Sequence, residues 1–249
     1  LTIDGHGELD TCFLGIGKIN DIKQKKSIKY PHSVGLFYGA FTDFLGFKPD
    51  SDEWKVMALS SYAKKQNPFD KKIRNLFKLT QEGFELDLSY FDFYTFDKRR
   101  NFFNDKFIKL IGKPRQKNDK ITNNHYLVAG AMQRAFEKIV FHLLKILKSE
   151  GSKSKNLILA GGAAMNCVFN GLLEKNKIYK NNYIPAYPDD LGVTIGAAYL
   201  ANYRFNKSKK RNIFYEKHNY FGPGFTRDQI KEEILKSKLK FTEPKKNLN

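Results

Sequence analysis

The sequence predicts an α/β fold, because a long amphipathic helix is followed by two strand-turn-helix units. Residues 124–150 carry apolar side chains every three or four positions, which is the period of one helix face. Leu157-Ile158-Leu159-Ala160 has the length and hydrophobicity of a buried strand and stops at Gly161-Gly162, just before helix-forming residues. A second unit begins at Tyr183-Ile184 and passes through an acidic turn into a small-residue helix near Gly196. Strands that alternate with helices in this way are typical of α/β proteins.

The N-terminal part predicts a hairpin and a buried helix. Two strand-like pieces flank a glycine-bearing turn at residues 4–8, which is the pattern of a β-hairpin. Residues 31–47 repeat apolar side chains with the helical period. Ser33 is the predicted N-cap of this helix and Gly46 its stop.

The stretch that follows is less regular. A short helix is predicted at residues 51–59, where Lys55 either forms an ordinary surface pair with Glu53 or turns its positive charge toward the cleft. Residues 64–123 alternate Lys- and Asn-rich pieces with aromatic ones. Aromatic residues mixed with Lys can stack on bases, but an insertion or lid packed on the main body is favoured.

The glycine turn and the acidic turn are the candidate binding elements. Two glycines let the backbone turn tightly and let a ligand approach, and the free N–H groups of a new helix attract phosphate. Asp189 and Asp190, at the second strand-to-helix turn, would share a cleft with the glycine turn. Each feature also has an ordinary explanation, since glycine pairs end strands in many α/β proteins and aspartates cap helices. Spacing alone leaves both interpretations open.

The composition narrows the class of protein. The 249 residues suffice for one large domain or two small ones. A net charge of +18 suggests a nucleic-acid partner, but only eight of the 44 basic residues are arginine, so a solvated lysine-rich surface is favoured instead. Cys12 and Cys167 form no C-x-x-C pair and the five histidines are dispersed, so no metal site is complete within the chain and reduced thiols in a cytoplasm are expected. No apolar run has the length of a membrane span, and no membrane partner is expected.

The two turns also carry a family resemblance. LAGGAAMNCVFNGLL, followed by PAYPDDLGVTIGAA, resembles the signature of the O-carbamoyltransferases of the nodulation-protein-U type, a family that includes antibiotic-tailoring carbamoyltransferases. The residues that match the family's Ala-Gly-Gly, Asn and Asp-x-Gly-x-x-x-Gly-Ala-Ala pattern are Gly161, Gly162, Asn166, Asp190, Gly192, Gly196, Ala197 and Ala198. Gln133 in the preceding helix matches a Gln of the pattern, although a solvated helix position explains it equally well.

Other phrases resemble the same family in the same order. Residues 4–8 are similar to its Asp-Gly-x-Gly-Glu turn, and residues 31–47 to its Pro-His-Ser-x-Gly-x-x-Tyr-x-x-x-Thr-x-x-x-Gly-Phe helix. Residues 51–59 resemble its Gly-Glu-x-Lys helix, although Asp52 stands where the family usually has Gly. A short Gly-Pro phrase follows at residues 220–226. Because these phrases keep the family's order over most of the chain, chance is a poor explanation.

The resemblance implies an actin-like ATPase (ribonuclease H-like) fold, mostly one lobe, with a mixed sheet flanked by helices. Residues 1–240 would be a partial N-terminal carbamoyltransferase domain, related to the universal tRNA threonylcarbamoyl-transfer protein, with a variable insertion at about 64–123. Residues 241–249 would be a linker toward a missing C-terminal domain. The isolated chain would then be an inactive fragment.

The resemblance also implies a reaction. Family members use ATP, with Mg²⁺, and carbamoyl phosphate to form carbamoyl-adenylate, which a hydroxyl of a sugar or natural product then attacks. Asp190 would be a ligand of Fe(II) or another divalent metal, together with two histidines upstream of this chain. The remaining roles implied are adenylate binding by Gly161, Gly162 and Asn166, a border to the phosphate region by Asp4 and Gly5, and catalytic positive charge from Lys55.

Two other functions stay open. A sugar kinase or related actin-like ATPase would use the same glycine turn, with a carboxylate as general base. A protein that modifies tRNA by threonylcarbamoyl transfer would share the lobe, and its RNA binding would weaken steeply with salt. The oligomeric state is also open, a homodimer being one option.

Overall fold

The structure, a computed structural model, describes residues 1–18, 21–63, 67–98, 100–151, 153–205 and 222–242. It has two compact units, Leu1–Lys209 and Lys210–Asn249. Most of the predicted linker, residues 243–249, lies outside the described residues, as do 220–221 of the Gly-Pro phrase and 64–66 of the predicted insertion.

The described elements form a mixed α/β fold, as predicted. The strands are β1 (Thr2–Ile3), β2 (Asp10–Lys18), β3 (Asp21–Lys29), β4 (Phe77–Leu79), β5 (Phe84–Leu86), β6 (Asn156–Ile158) and β7 (Asn181–Tyr183). The helices are α1 (Val34–Phe44), α2 (Glu53–Ser60), α3 (Phe69–Arg74), α4 (Asp105–Ile111), α5 (Asn123–Ser149), α6 (Cys167–Asn176), α7 (Asp190–Phe205) and α8 (Arg227–Lys236). No described helix combines the length and hydropathy that crossing a bilayer requires.

The main sheet is built outward from β1. β1 pairs antiparallel with β2, and β2 pairs antiparallel with β3, so the predicted N-terminal hairpin is confirmed. On its other side, β1 meets the end of the β6 segment in a parallel bridge between Thr2 and Ala160. There the Ile3 N–H donates to Ala160 O at 2.8 Å, and the Ala160 N–H donates to Leu1 O at 3.1 Å. Since β6 pairs in parallel with β7, this bridge links the three-stranded sheet β1-β2-β3 to the two-stranded sheet β6-β7.

Helix α1 is the centre of the core of the first unit. Ser33 caps it, because its Oγ accepts the Leu36 N–H at 3.0 Å, and Gly46 follows its end with a φ of +73°, as predicted. Phe41 on this helix lies 5.1 Å from the ring of Phe107, and Phe37 lies 6.1 Å from the ring of Phe77. The segment predicted as an insertion therefore contributes buried aromatic side chains to the same core as α1.

The sequence signals predicted for the ends of two other helices are also confirmed. Helix α5 ends at Ser149, and Gly151 has a φ of +88°, which is the left-handed conformation expected just past a helix end. Helix α8, in the second unit, begins with the predicted capping box between Thr226 and Gln229. These end signals depend on neighbouring residues alone, which is why the sequence reveals them.

Candidate functional site

The glycine turn closes directly on the first strand. Gly161 has a φ of +92° and a ψ of 157°, a region that essentially only glycine occupies. A Cβ at this position would lie 2.6 Å from the Ile3 carbonyl carbon and closer still to its oxygen. The sequence predicted that a helix follows at once, but a single 3-10 turn at Gly162–Met165 comes first. The α-helix begins only at Cys167, because the side chain of Asn166 caps it.

The first hairpin turn lies against the glycine turn. A Cβ added at Gly162 would lie 3.2 Å from Asp4 Oδ1. That carboxylate oxygen also accepts the Gly5 N–H at 2.7 Å, while the Ser33 hydroxyl donates to Asp4 O at 3.0 Å. A Cβ added at Gly5 would meet nothing within 4 Å, so the tip borders open space. The structure thus brings together four of the predicted site residues, Asp4, Gly5, Gly161 and Gly162.

The acidic turn at residues 188–190 also contacts the glycine turn. The Gly161 N–H donates to Pro188 O at 2.6 Å, so the two predicted turns are in contact. Asp189 Oδ1 accepts the Leu191 N–H at 3.3 Å and serves the start of α7. Asp190 is the first residue of α7 and is exposed to solvent. The capping interpretation therefore holds for Asp189, while a binding role for the exposed Asp190 stays a prediction.

Asn166 is turned into the core rather than toward the turn surface. It is only 8% exposed, and its Nδ2 donates to Gln133 Oε1 at 2.9 Å while its Oδ1 accepts from Gln133 Nε2 at 2.9 Å. The solvated position considered for Gln133 is therefore wrong, because this residue is 3% exposed. The sequence contained a signal for this burial, because Gln133 lies on the same face of the helix as Ala129 and Phe136, which are both buried.

Lys55 has partners within its own region of the chain. Its Nζ lies 2.8 Å from Asp52 Oδ1, and this contact holds the pKa of the Asp52 carboxyl below its usual value. The ammonium also lies 5.4 Å from the ring centroid of Trp54. Of the two alternatives, the surface pair with Glu53 is wrong, since Glu53 Oε1 accepts the Asp50 N–H at 2.8 Å instead. Asp52, the departure from the family pattern, is thus the residue that binds this lysine.

The described residues do not form a complete metal centre. No group of three or more His, Cys, Asp or Glu side chains within them is placed to hold a metal ion. Asp190 supplies one exposed carboxylate, whereas protein sites for transition metals typically use three or four ligands. The role of Asp190 as a metal ligand would need further ligands from elsewhere in the whole protein, and it stays a prediction.

Comparison with known proteins identifies the family. A sequence profile described as "Carbamoyltransferase N-terminus" matches residues 1–199, the region that contains all three turns. The chain belongs to the carbamoyltransferase family. The second unit lies beyond the matched residues.

Three relatives show how much of a carbamoyltransferase is present. An uncharacterised protein of Synechocystis sp. is 36% identical over 95% of this chain and 38% of its own length. The nodulation protein NolNO of Sinorhizobium fredii is 31% identical over 94% of this chain and 32% of its own length. The nodulation protein NolO of Bradyrhizobium diazoefficiens is 28% identical over 92% of this chain and 39% of its own length. The chain therefore spans less than two fifths of the length of these curated relatives.

Proposed function

We propose that this chain is the nucleotide-binding N-terminal region of an ATP-dependent O-carbamoyltransferase. One observation carries the proposal: the three turns that follow the parallel strands β1, β6 and β7 come together at one edge of the sheet. Ligands of α/β sheets bind in the crevice outside the carboxyl ends of parallel strands. The turns are linked there by the close approach of Gly162 to Asp4 Oδ1 and by the hydrogen bond from Gly161 to Pro188.

The residues at this edge suit an adenylate. Gly5 opens onto free space at this edge, where a phosphate can approach the backbone, whereas glycine at 161 and 162 lets the turn pack closely against Ile3 and Asp4. In the proposed transfer, the oxygen of an acceptor hydroxyl attacks the carbamoyl carbon of carbamoyl-adenylate. The bond from that carbon to the phosphate oxygen breaks, AMP leaves, and the hydroxyl proton passes to solvent water. Asp190, exposed beside the turns, would supply one ligand of the Fe(II) or other divalent metal, which when bound would polarise the carbamoyl carbonyl as a Lewis acid.

The remaining inferences concern the whole protein. We infer an actin-like ATPase fold, which the family assignment and the mixed sheet support, with residues 1–240 as a partial domain and 241–249 as a linker. Adenylate formation from ATP, Mg²⁺ and carbamoyl phosphate would belong to residues outside this chain. A sugar or natural-product hydroxyl is the acceptor that the proposal requires. Cys12 and Cys167 are free thiols, which supports placement in a cytoplasm.

Pyrophosphate release tests the proposed function. The complete gene product should release pyrophosphate from ATP only when carbamoyl phosphate is present, because adenylate formation consumes both. The release is measured before any acceptor is added, with acetyl phosphate in place of carbamoyl phosphate as the control. Formation of ADP would favour the sugar-kinase alternative, and no release would reject the adenylate chemistry.

Lys55 is proposed to add positive charge next to the bound phosphate, and a pair of variants tests this. Lys55→Met should lower kcat/KM for carbamoyl transfer about tenfold, because one charged contact to the reacting group is lost. The melting temperature should change little, since the ion pair with Asp52 is on the surface. Asp52→Ala breaks the same ion pair but keeps the lysine, so it should retain activity. Equal losses in both variants would mean that the pair has only a structural role.

A further inference from the structure

A buried hydrogen-bond network connects the core helices to the glycine turn. Tyr38 on α1 donates its hydroxyl to Gln133 Oε1 at 3.0 Å. Gln133 on α5 donates from Nε2 to Asn166 Oδ1 at 2.9 Å and to Glu137 Oε1 at 3.0 Å. Asn166 in turn donates a hydrogen bond from Nδ2 to Gln133 Oε1 at 2.9 Å. Three elements that are distant in the sequence therefore meet at one amide.

The amide of Gln133 is fully used. A primary amide has two donor hydrogens and two acceptor lone pairs, and these four bonds fill all of them. Tyr38, Gln133 and Asn166 are 4%, 3% and 8% exposed, so water cannot easily replace a lost partner. Burial raises the pKa of the Tyr38 phenol well above its usual value, which keeps the hydroxyl protonated and able to donate.

The network continues along the backbone into the turn. Asn166 Oδ1 accepts the Phe169 N–H at 2.9 Å and so fixes the start of α6. The Asn166 N–H donates to Ala163 O at 3.3 Å, and the Ala164 N–H donates to Gly161 O at 2.9 Å. The residue whose side chain is held by Gln133 is therefore linked to Gly161 through the short backbone turn at Ala163 and Ala164.

We propose that Gln133 is a positioning residue, which acts through Asn166 to hold the glycine turn in the conformation that binds the adenylate phosphate. This inference rests on the proposed function, because it assigns a purpose to the geometry of that turn. It also reassigns Asn166: its side chain orients the turn from behind, and ligand contact comes from the glycines.

The test uses a nearly isosteric substitution, Gln133→Glu, in this chain. It replaces the donating nitrogen by an oxygen that faces Asn166 Oδ1 and Glu137 Oε1, so two attractive contacts become repulsive. The probe is AMP, the leaving group of the proposed transfer, and its dissociation constant is measured by calorimetry. We expect about tenfold weaker binding in Gln133→Glu, the effect of losing one well-formed buried hydrogen-bond partner. Adding Glu137→Gln should recover part of the loss, since the amide introduced at position 137 can donate to the carboxylate introduced at position 133.

A matched control separates positioning from loss of stability. Ile139→Ala removes a fully buried side chain from the same helix without touching the network. It should lower the melting temperature while AMP binding at a temperature where both variants are folded stays at the wild-type level. Equal weakening in Ile139→Ala and Gln133→Glu, or wild-type binding in Gln133→Glu, would overturn the proposal.

Hydrogen exchange keeps this test independent of the proposed function. In Gln133→Glu the amides of Phe169 and Ala164 should exchange about tenfold faster than in Ile139→Ala, because the cap and the turn are released. If the wild-type chain does not bind AMP, the proposed function fails while faster exchange still shows the positioning. Unchanged exchange at both amides would overturn the positioning role even if AMP binds.

Discussion

Replacing Gly161 by alanine should destabilise the chain by at least about 3 kcal/mol and abolish AMP binding. The backbone of Gly161 has a φ of +92° and a ψ of 157°, which an L side chain rarely adopts. The added Cβ would also collide with the carbonyl group of Ile3, and this group is next to the bridge between the two halves of the sheet. Because both colliding partners belong to the backbone framework, neither can move without separating β1 from the β6 segment.

The control for this prediction is another glycine-to-alanine change. Gly171 lies inside helix α6, and a Cβ there would meet nothing within 4 Å. Gly171→Ala should therefore stabilise the chain by about 0.5–1 kcal/mol, because alanine is the better helix former. Urea unfolding and AMP calorimetry on both variants make the comparison. Wild-type stability in Gly161→Ala would show that the turn is not the rigid joint described above.

Asp190→Ala in the complete gene product should lower carbamoyl transfer by at least about two orders of magnitude while pyrophosphate release persists. Asp190 is exposed at the start of α7, next to the turn that binds Gly161, so its loss removes charge at the site without opening the core. Transfer is measured with radiolabelled carbamoyl phosphate across a panel of sugar acceptors. The split between the two activities is expected because adenylate formation is assigned to residues outside this chain.

Asp189→Asn is the matched control for Asp190→Ala. It removes the neighbouring negative charge but keeps an oxygen that can accept the Leu191 N–H, so the start of α7 is preserved. This variant should retain most of the transfer activity. Unchanged turnover in Asp190→Ala, or equal losses in both variants, would reject a specific role for Asp190.

Local chemistry explains which parts of this chain could be predicted. Ser33 caps α1, Gly46 and Gly151 follow helix ends in left-handed conformations, and Thr226 with Gln229 forms a capping box. Each of these depends on residues within a few positions, where side-chain type and backbone conformation are directly linked. The roles proposed for the two turns came from their motifs, and those roles await the experiments above.

Only the tertiary structure showed which groups the side chains of Lys55 and Gln133 contact. Lys55 pairs with Asp52 rather than Glu53, because Glu53 accepts a backbone N–H that the loop before α2 presents. Gln133 is buried although its residue type is usually solvated, because Tyr38, Glu137 and Asn166 together satisfy its amide. Periodicity places Gln133 on the buried face of α5, but it identifies neither the partners of its amide nor the partner of Lys55.

The sequence by itself determined the α/β class, the N-terminal hairpin, the long helix and the two glycine- and aspartate-bearing turns. Only the tertiary structure decided that Ala160 bridges Thr2, and that Asp4, Gly162 and Pro188 therefore meet around Gly161. The reason is physical. Helix ends and tight turns are stabilised within a few residues, whereas a parallel bridge between the first and the sixth strand forms only when the intervening core has packed.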